Sequence, residues 1–292
     1  MDISIRLKIK SLYNGLSTKE QNIADYILKN PTYVAQNSIS DLSAELDVAV
    51  STLFQFSKKL GYSGFKEFKM AILIEENNFS TASTHERSTH ERSIHENIEI
   101  DDNELTMAEK VFDSNIESLI NTKKILELDN LKKAAEIISN SNLLYFFGVG
   151  GSGIIAEDAY QKFLRSPTHV RHTTDYHIQL MEASLLTPQD CAICISHTGK
   201  SKETIKIAET VKKAGAKVIV ITSHASSPLA KIGDVVFISI SEEIEFHSEA
   251  LSSRISQLSI LDSLYVILMF MNKEKSKETL SKVRRTIWGV KH

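Results

Sequence analysis

The sequence predicts a two-part molecule: an all-α N-terminal domain joined to an α/β domain built on a parallel sheet with helices on both faces. Three observations predict it. Up to about residue 78, apolar residues recur at helical spacing. Beyond residue 104, short apolar runs alternate with longer amphipathic stretches, the signature of strand–helix–strand units. Between them, 79–103 is mostly polar and repetitive. A length of 292 residues suits two domains. Fractions of 42% hydrophobic and 24% charged residues let each bury a core without metal or disulfide.

The N-terminal helices announce themselves by their ends. Ser17-Thr18-Lys19-Glu20 has the reciprocal capping pattern, and Ile23, Ala24, Ile27 and Leu28 follow at helical spacing until Asn30-Pro31. Ser38 caps a second helix with Ile39, Leu42 and Leu46 on one face. A turn at Asp47-Val48 leads to a third, from about Val50 to Leu60, with Leu53, Phe56 and Leu60 inward and Gly61 as the stop. A last helix packs through Phe65, Phe68, Ile72 and Ile74 and ends near Asn77-Asn78.

Two short helices across a tight turn form a helix-turn-helix, whose second helix lies in the DNA major groove. Ser51, Thr52 and Gln55 would lie on the exposed start of that helix. Glutamine can pair with adenine, and Ser or Thr with bases or phosphates. Lys58 and Lys59 suit phosphates. An ordinary three-helix packing unit would show the same apolar pattern. Charge helps little: the net is −3, and only Lys58, Lys59, Lys66 and Lys69, against Glu67, make a small basic patch.

In the polar stretch, Thr84-His85-Glu86-Arg87-Ser88 is repeated at once as Thr89-His90-Glu91-Arg92-Ser93. His85, His90 and His95 recur every five residues, a spacing that holds no helix face. A solvated linker is expected, with no metal and no cofactor.

The second half opens with helices over roughly 104–124 and from a cap at Asp129 to about Ser139. Strands follow at Leu143–Phe147, Val170–Thr173, Cys191–Ile195, Val218–Thr222 and Val235–Ile240, with helices at Ile154–Leu164, Tyr176–Leu185, Lys202–Lys213 and Glu249–Met271. Cys191 and Cys194 share a strand three residues apart, so they point to opposite faces and pack in the core rather than share a metal or a disulfide. The apolar run Ile260–Met271 is too short to span a bilayer and reads as a buried helix. The first residues carry no signal-peptide pattern. No membrane association and a cytoplasmic location are expected.

Two loops carry chemistry. Gly148-Val149-Gly150-Gly151-Ser152-Gly153 lies between a strand and a helix, where backbone N–H groups can cradle an anion. Alone it also fits a dinucleotide site, but the acidic residue wanted after the second strand is missing before Asp175. The second loop, Ser196 to Thr204, sets the hydroxyls of Ser196, Thr198, Ser201 and Thr204 around Gly199, a suitable surround for a phosphate monoester. Plain turn and cap chemistry is the alternative.

The residues quoted for the first domain resemble the N-terminal domain of RpiR/MurR-type transcriptional regulators. The match runs through Leu16-Ser17, Ile23 to Leu28, Asn30-Pro31, Ser38-Ile39, Leu42, Val48, Thr52, Phe56, Lys58 to Tyr62, Gly64-Phe65 and Phe68-Lys69. It departs at Asp47, where the family has Gly in the turn, and at Gln55, where it has Arg. The two loops resemble the SIS (sugar isomerase) domain over about 105–285. That resemblance implies a five-stranded parallel sheet flanked by helices, a dimer, and a phosphosugar site at the carboxyl ends of the strands. Carried over, Ser152, Ser196, Thr198 and Ser201 would hold the phosphate, with Gly150, Gly151, His197 and Gly199 lining it. Glu249 would contact the sugar or cap its helix. Arg254 is expected to tie the dimer or its own loop rather than touch ligand.

These readings give a DNA-binding domain over 1–78, a linker over 79–103 and a phosphosugar-binding SIS domain over 104–292. The expected function is a transcriptional regulator with no catalytic residue. Its expected partners are double-stranded operator DNA, a phosphosugar effector and its own copies as a homodimer or tetramer. A phosphosugar isomerase or lyase with an accessory helical domain is the alternative.

Overall fold

The computed structural model describes residues 5–81, 102–240 and 249–291. The chain divides into two compact units, Met1–Glu96 and Asn97–His292.

The first unit contains six α-helices among its described residues: α1 (Ile5–Leu12), α2 (Thr18–Lys29), α3 (Pro31–Gln36), α4 (Ile39–Glu45), α5 (Val50–Lys59) and α6 (Phe65–Thr81). Both expected caps form reciprocally, Ser17 with Glu20 and Ser38 with Asp41. The hydrogen bonds from Ser38 hold the Asp41 carboxyl below the usual carboxylate range. Pro31 does more than stop α2. With its φ preset for helix it starts α3. The α4–α5 turn is made by Asp47 at φ 49, the one non-glycine residue with positive φ among those described. The core is Ile9, Ile23, Ile27, Leu42, Leu53, Phe56, Phe68 and Ile72, with the Phe56 and Phe68 rings edge to face, centres 6.4 Å apart. Ile74, expected inside, is exposed. α6 reaches Thr81, three residues into the stretch expected as linker. His85, His90 and His95 lie outside the described residues.

The second unit opens with α7 (Glu104–Lys124) and α8 (Leu128–Asn140). Glu127 is the N-cap of α8, so Asp129 lies in its first turn instead of capping it. Five strands follow, β1 (Leu143–Phe147), β2 (His169–His172), β3 (Cys191–Ile195), β4 (Lys217–Thr222) and β5 (Val235–Ile238), all parallel in the order β2-β1-β3-β4-β5. They alternate with α9 (Gly151–Phe163), α10 (Tyr176–Leu185) and α11 (Lys202–Lys213), and α12 (Glu249–Met271) and α13 (Lys273–Lys291) end the chain.

Both sheet faces are apolar, as a parallel sheet covered on two sides requires. Phe146, Cys191, Ile193 and Phe237 pack with residues of α8, α9 and α12. Phe147, Cys194, Val218 and Val220 pack with residues of α10 and α11. The two cysteines thus fall on opposite faces, as their spacing predicts. Both are free, and burial pushes each thiol up to about 12.

Helix α12 is longer and more apolar than the run between Ile260 and Met271 suggests. Ser253–Met271 is long and apolar enough, by composition, to cross a membrane. Its Ile260, Leu261, Leu264 and Leu268 nevertheless pack in the sheet core. α12 also packs against α7, and there the usual pattern inverts. Ser114, Ser118, Asn121 and Thr122 of α7 are buried, while Leu105, Phe112 and Ile116 are exposed.

Candidate functional site

In the first unit, α4 and α5 make a helix-turn-helix. Leu53, Phe56 and Leu60 bury one face of α5, which leaves Ser51, Gln55, Lys58 and Lys59 exposed and Thr52 half-exposed on the other. Four of the five expected DNA contacts are therefore open. Lys59 is engaged: its Nζ is paired with the Glu20 carboxylate at 2.9 Å, tying α5 to the cap of α2. Lys58 lies 5.8 Å from the Phe54 ring centre. Phe54 is a further residue of this face that the sequence pattern does not mark. It stands 40% exposed on the same face as Gln55, and Gly64 leaves room for its ring, since a Cβ there would meet it at 2.9 Å. Its neighbour spacing fits a core position equally well, so periodicity alone did not single it out.

In the second unit, the order β2-β1-β3-β4-β5 reverses direction between β1 and β3. Ligands of open α/β folds bind outside the carboxyl ends of the strands at such a switch point. The two loops singled out in the sequence leave those two strands.

The glycine loop begins at Gly148. A Cβ there would sit 2.6 Å from the Ser152 carbonyl oxygen, a backbone clash that only glycine avoids. Gly150 adopts φ 60 and ψ −129, open to glycine alone, and is the N-cap of α9. Gly151 and Ser152 form the first turn of α9, so the helix begins three residues before Ile154. First-turn N–H groups lack intrahelical partners and face the strand ends. Gln179 of α10, fully buried, holds the loop's root: its Oε1 accepts from Gly148 N at 3.3 Å, and its Nε2 donates to the carbonyls of Gly148 and Thr173.

The second loop turns at Gly199, φ 60. A Cβ on Gly199 would fall 2.2 Å from Ser227 Oγ and 2.9 Å from Thr222 Oγ1. Ser196 Oγ accepts from Gly199 N at 3.2 Å and Thr198 Oγ1 from Lys200 N at 3.2 Å. Each hydroxyl keeps its proton to donate. Ser201 caps α11, accepting from Thr204 N and donating to Glu203 at 2.9 Å. Of the four hydroxyls expected around Gly199, that of Thr204 is buried and turns to Ser201 instead of the loop's open side.

His197 anchors the loop rather than dangling from it. Its carbonyl accepts from Ser223 N and Thr222 Oγ1, and its Nδ1 lies 2.9 Å from Ser223 Oγ. Ser223 Oγ lies 2.9 Å from Ser239 Oγ, to which Gln257 Nε2 of α12 donates at 3.2 Å. The His224 ring lies tilted beside that of His197, ring centres 5.6 Å apart. Thr222, Ser223, His224 and Ser227 carry no motif that marks them in the sequence. One helical turn before Gln257, Arg254 reaches the other loop: its Nη2 lies 3.9 Å from a Cβ placed on Gly151. Glu249 is the first residue of α12, and its side chain lies outside the described residues.

Comparison with known proteins agrees with both halves. Residues 3–78 match the model of the helix-turn-helix domain of the rpiR family, and residues 137–267 match that of the SIS domain. An uncharacterized HTH-type transcriptional regulator of Haemophilus influenzae is 32% identical over 96% of this chain and 95% of its own. Another, from Thermotoga maritima, is 30% identical over the full length of both. Among solved structures, the Vibrio vulnificus NanR protein complexed with ManNAc-6P aligns over 99% of each chain with TM-score 0.59 and 21% identity. The sugar isomerase domain of an RpiR transcription factor from Sphaerobacter thermophilus aligns over 61% of this chain with TM-score 0.57 and 20% identity. The chain belongs to the rpiR family of helix-turn-helix transcriptional regulators, with a SIS domain as its second half.

Proposed function

We propose that the protein is a regulator whose affinity for double-stranded operator DNA changes when a phosphosugar occupies the crevice between β1 and β3. The observation that carries this reading is the convergence of two anion-suited loops on the switch point of a sheet joined to a helix-turn-helix. In this reading the phosphate takes N–H groups from Gly151 and Ser152 and hydroxyl donors from Ser152, Ser196 and Thr198, with Gly150, His197, Gly199 and Ser201 shaping the cradle. Glu249, at the start of α12, contacts the sugar. The solved relative in complex with ManNAc-6P supports that ligand class.

Ser51, Thr52, Gln55 and Lys58 contact DNA, while Lys59 is held by Glu20. The protein acts in the cytoplasm without catalytic turnover. The exposed Leu105, Phe112 and Ile116 on α7, which lie at heptad-like spacing, support a homodimer or a tetramer built on it. A two-fold assembly calls for a roughly palindromic operator.

Calorimetric titration with N-acetylmannosamine 6-phosphate and a panel of other hexosamine and pentose phosphates tests the cradle. The double variant Ser196→Ala, Thr198→Ala should lose about tenfold or more in affinity for whichever phosphosugar binds, since a hydrogen bond to a charged group contributes about 1.5–3 kcal/mol. Unchanged affinity would reject the cradle. Phosphosugar turnover abolished by Glu249→Gln would make the protein an enzyme instead. On the DNA side, Gln55→Ala should relax preference at one base pair by about 1–3 kcal/mol. A selection from random duplexes that returns the same sequence for both proteins would remove Gln55 from base reading.

A further inference from the structure

Arg254 has no obvious structural job. It is half-buried on α12, and its Nε is enclosed without a hydrogen-bond partner. Among the described residues no carboxylate pairs with it. A guanidinium nitrogen enclosed without a hydrogen-bond partner is costly, so folds keep one only where something compensates it. Its Nη2 is instead aimed at the first turn of α9, 3.9 Å from the Cβ position of Gly151. That end of α9 already carries the positive end of the helix dipole, which repels a cation. A positive side chain pressed against a positive helix end makes electrostatic sense only when an anion lies between them.

The same turn of α12 faces the other loop. Gln257, three residues on and therefore on the same face, donates to Ser239, which connects through Ser223 to His197. α12 thus approaches the glycine loop directly through Arg254 and connects to the hydroxyl loop through Ser239 and Ser223.

We propose that Arg254 is a direct ligand of the bound phosphate. It supplies the full positive charge that backbone amides and hydroxyls do not, in a planar fork suited to two phosphate oxygens. The inference rests on the phosphosugar reading above. It reverses the expectation that Arg254 serves only the dimer or its own loop.

The test uses the full-length protein, with N-acetylmannosamine 6-phosphate and inorganic phosphate as probes in calorimetry, and sedimentation for the assembly. Arg254→Met should weaken binding of the probe about 10- to 100-fold. Arg254→Lys, which keeps charge but not the fork, should recover part of the loss. The melting temperature of the unliganded Arg254→Met protein should stay level or rise, because a cation with no counter-charge among the described residues is removed. An arginine with a structural role would give the opposite sign.

Full affinity in Arg254→Met, alongside weakened binding in the Ser196→Ala, Thr198→Ala protein, would overturn the proposal and leave the cradle standing. Loss of binding together with a lower melting temperature or a dissociated dimer would assign Arg254 to the assembly and likewise overturn it. If the wild-type protein binds neither probe nor any other phosphosugar, both the proposal and the reading beneath it fail.

Discussion

Replacing Gly199 by alanine is expected to abolish phosphosugar binding while leaving DNA binding by the free protein intact. Two effects add. Gly199 has φ 60, where alanine is strained by about 1 kcal/mol. The new methyl also falls 2.2 Å from Ser227 Oγ and 2.5 Å from its Cβ, so one of the two loops must retreat by more than an ångström. Overpacking of this kind costs about 1–3 kcal/mol. The loop cannot yield without loss, because Ser196 Oγ accepts from Gly199 N and Gly199 O accepts from Leu229 N. The hydroxyls of Ser196 and Thr198 are therefore displaced from the place where a phosphate would meet them. Calorimetry reads the binding, and gel-shift titration reads the DNA affinity. Retained phosphosugar affinity would mean that this turn does not shape the site.

Replacing Phe56 by alanine should do the reverse. Phe56 is fully buried between α5 and the aromatic cluster of Tyr62, Phe65 and Phe68. Removing a buried phenyl ring costs about 3–5 kcal/mol, a large share of the stability of a small helical unit. The unit should melt at or near room temperature and DNA binding should vanish. The second unit has its own two-sided core, so phosphosugar binding should persist. Two separated thermal transitions, with only the lower one shifted by the substitution, would bear this out. Loss of both activities together would show that the two units fold as one.

The elements most legible in the sequence were those with local causes. The Ser17–Glu20 pattern and a serine at 38 mark two N-terminal helix starts, and Asp47 in the turn adopts the left-handed backbone that its side chain tolerates. Strand and helix limits in the second half followed from apolar runs, with β3, α10 and α11 read to the residue.

What escaped reading has physical causes too. α13 is a lysine- and arginine-rich helix with little to bury, so no apolar stripe marks it. α3 was hidden by its proline, which both ends one helix and begins the next. In the site, glycines read as loop although Gly151 and Gly153 are helical, because in a helix N-terminus their role is close approach rather than a turn. Arg254, Gln179 and the serines after β4 come to the site from far along the chain. Only the sheet order, which no local pattern encodes, brings them there.

If the protein senses a phosphosugar, ligand in the second unit must alter DNA binding by the first. The most direct measurement is the affinity of the full-length protein for a duplex that it has itself selected from a random pool, titrated with and without a saturating phosphosugar found by calorimetry. A change of about fivefold or more in either direction is expected, and the same factor in phosphosugar affinity when DNA is saturating, because coupling between two sites is reciprocal. Identical DNA affinity at saturation, for every phosphosugar that binds, would contradict it.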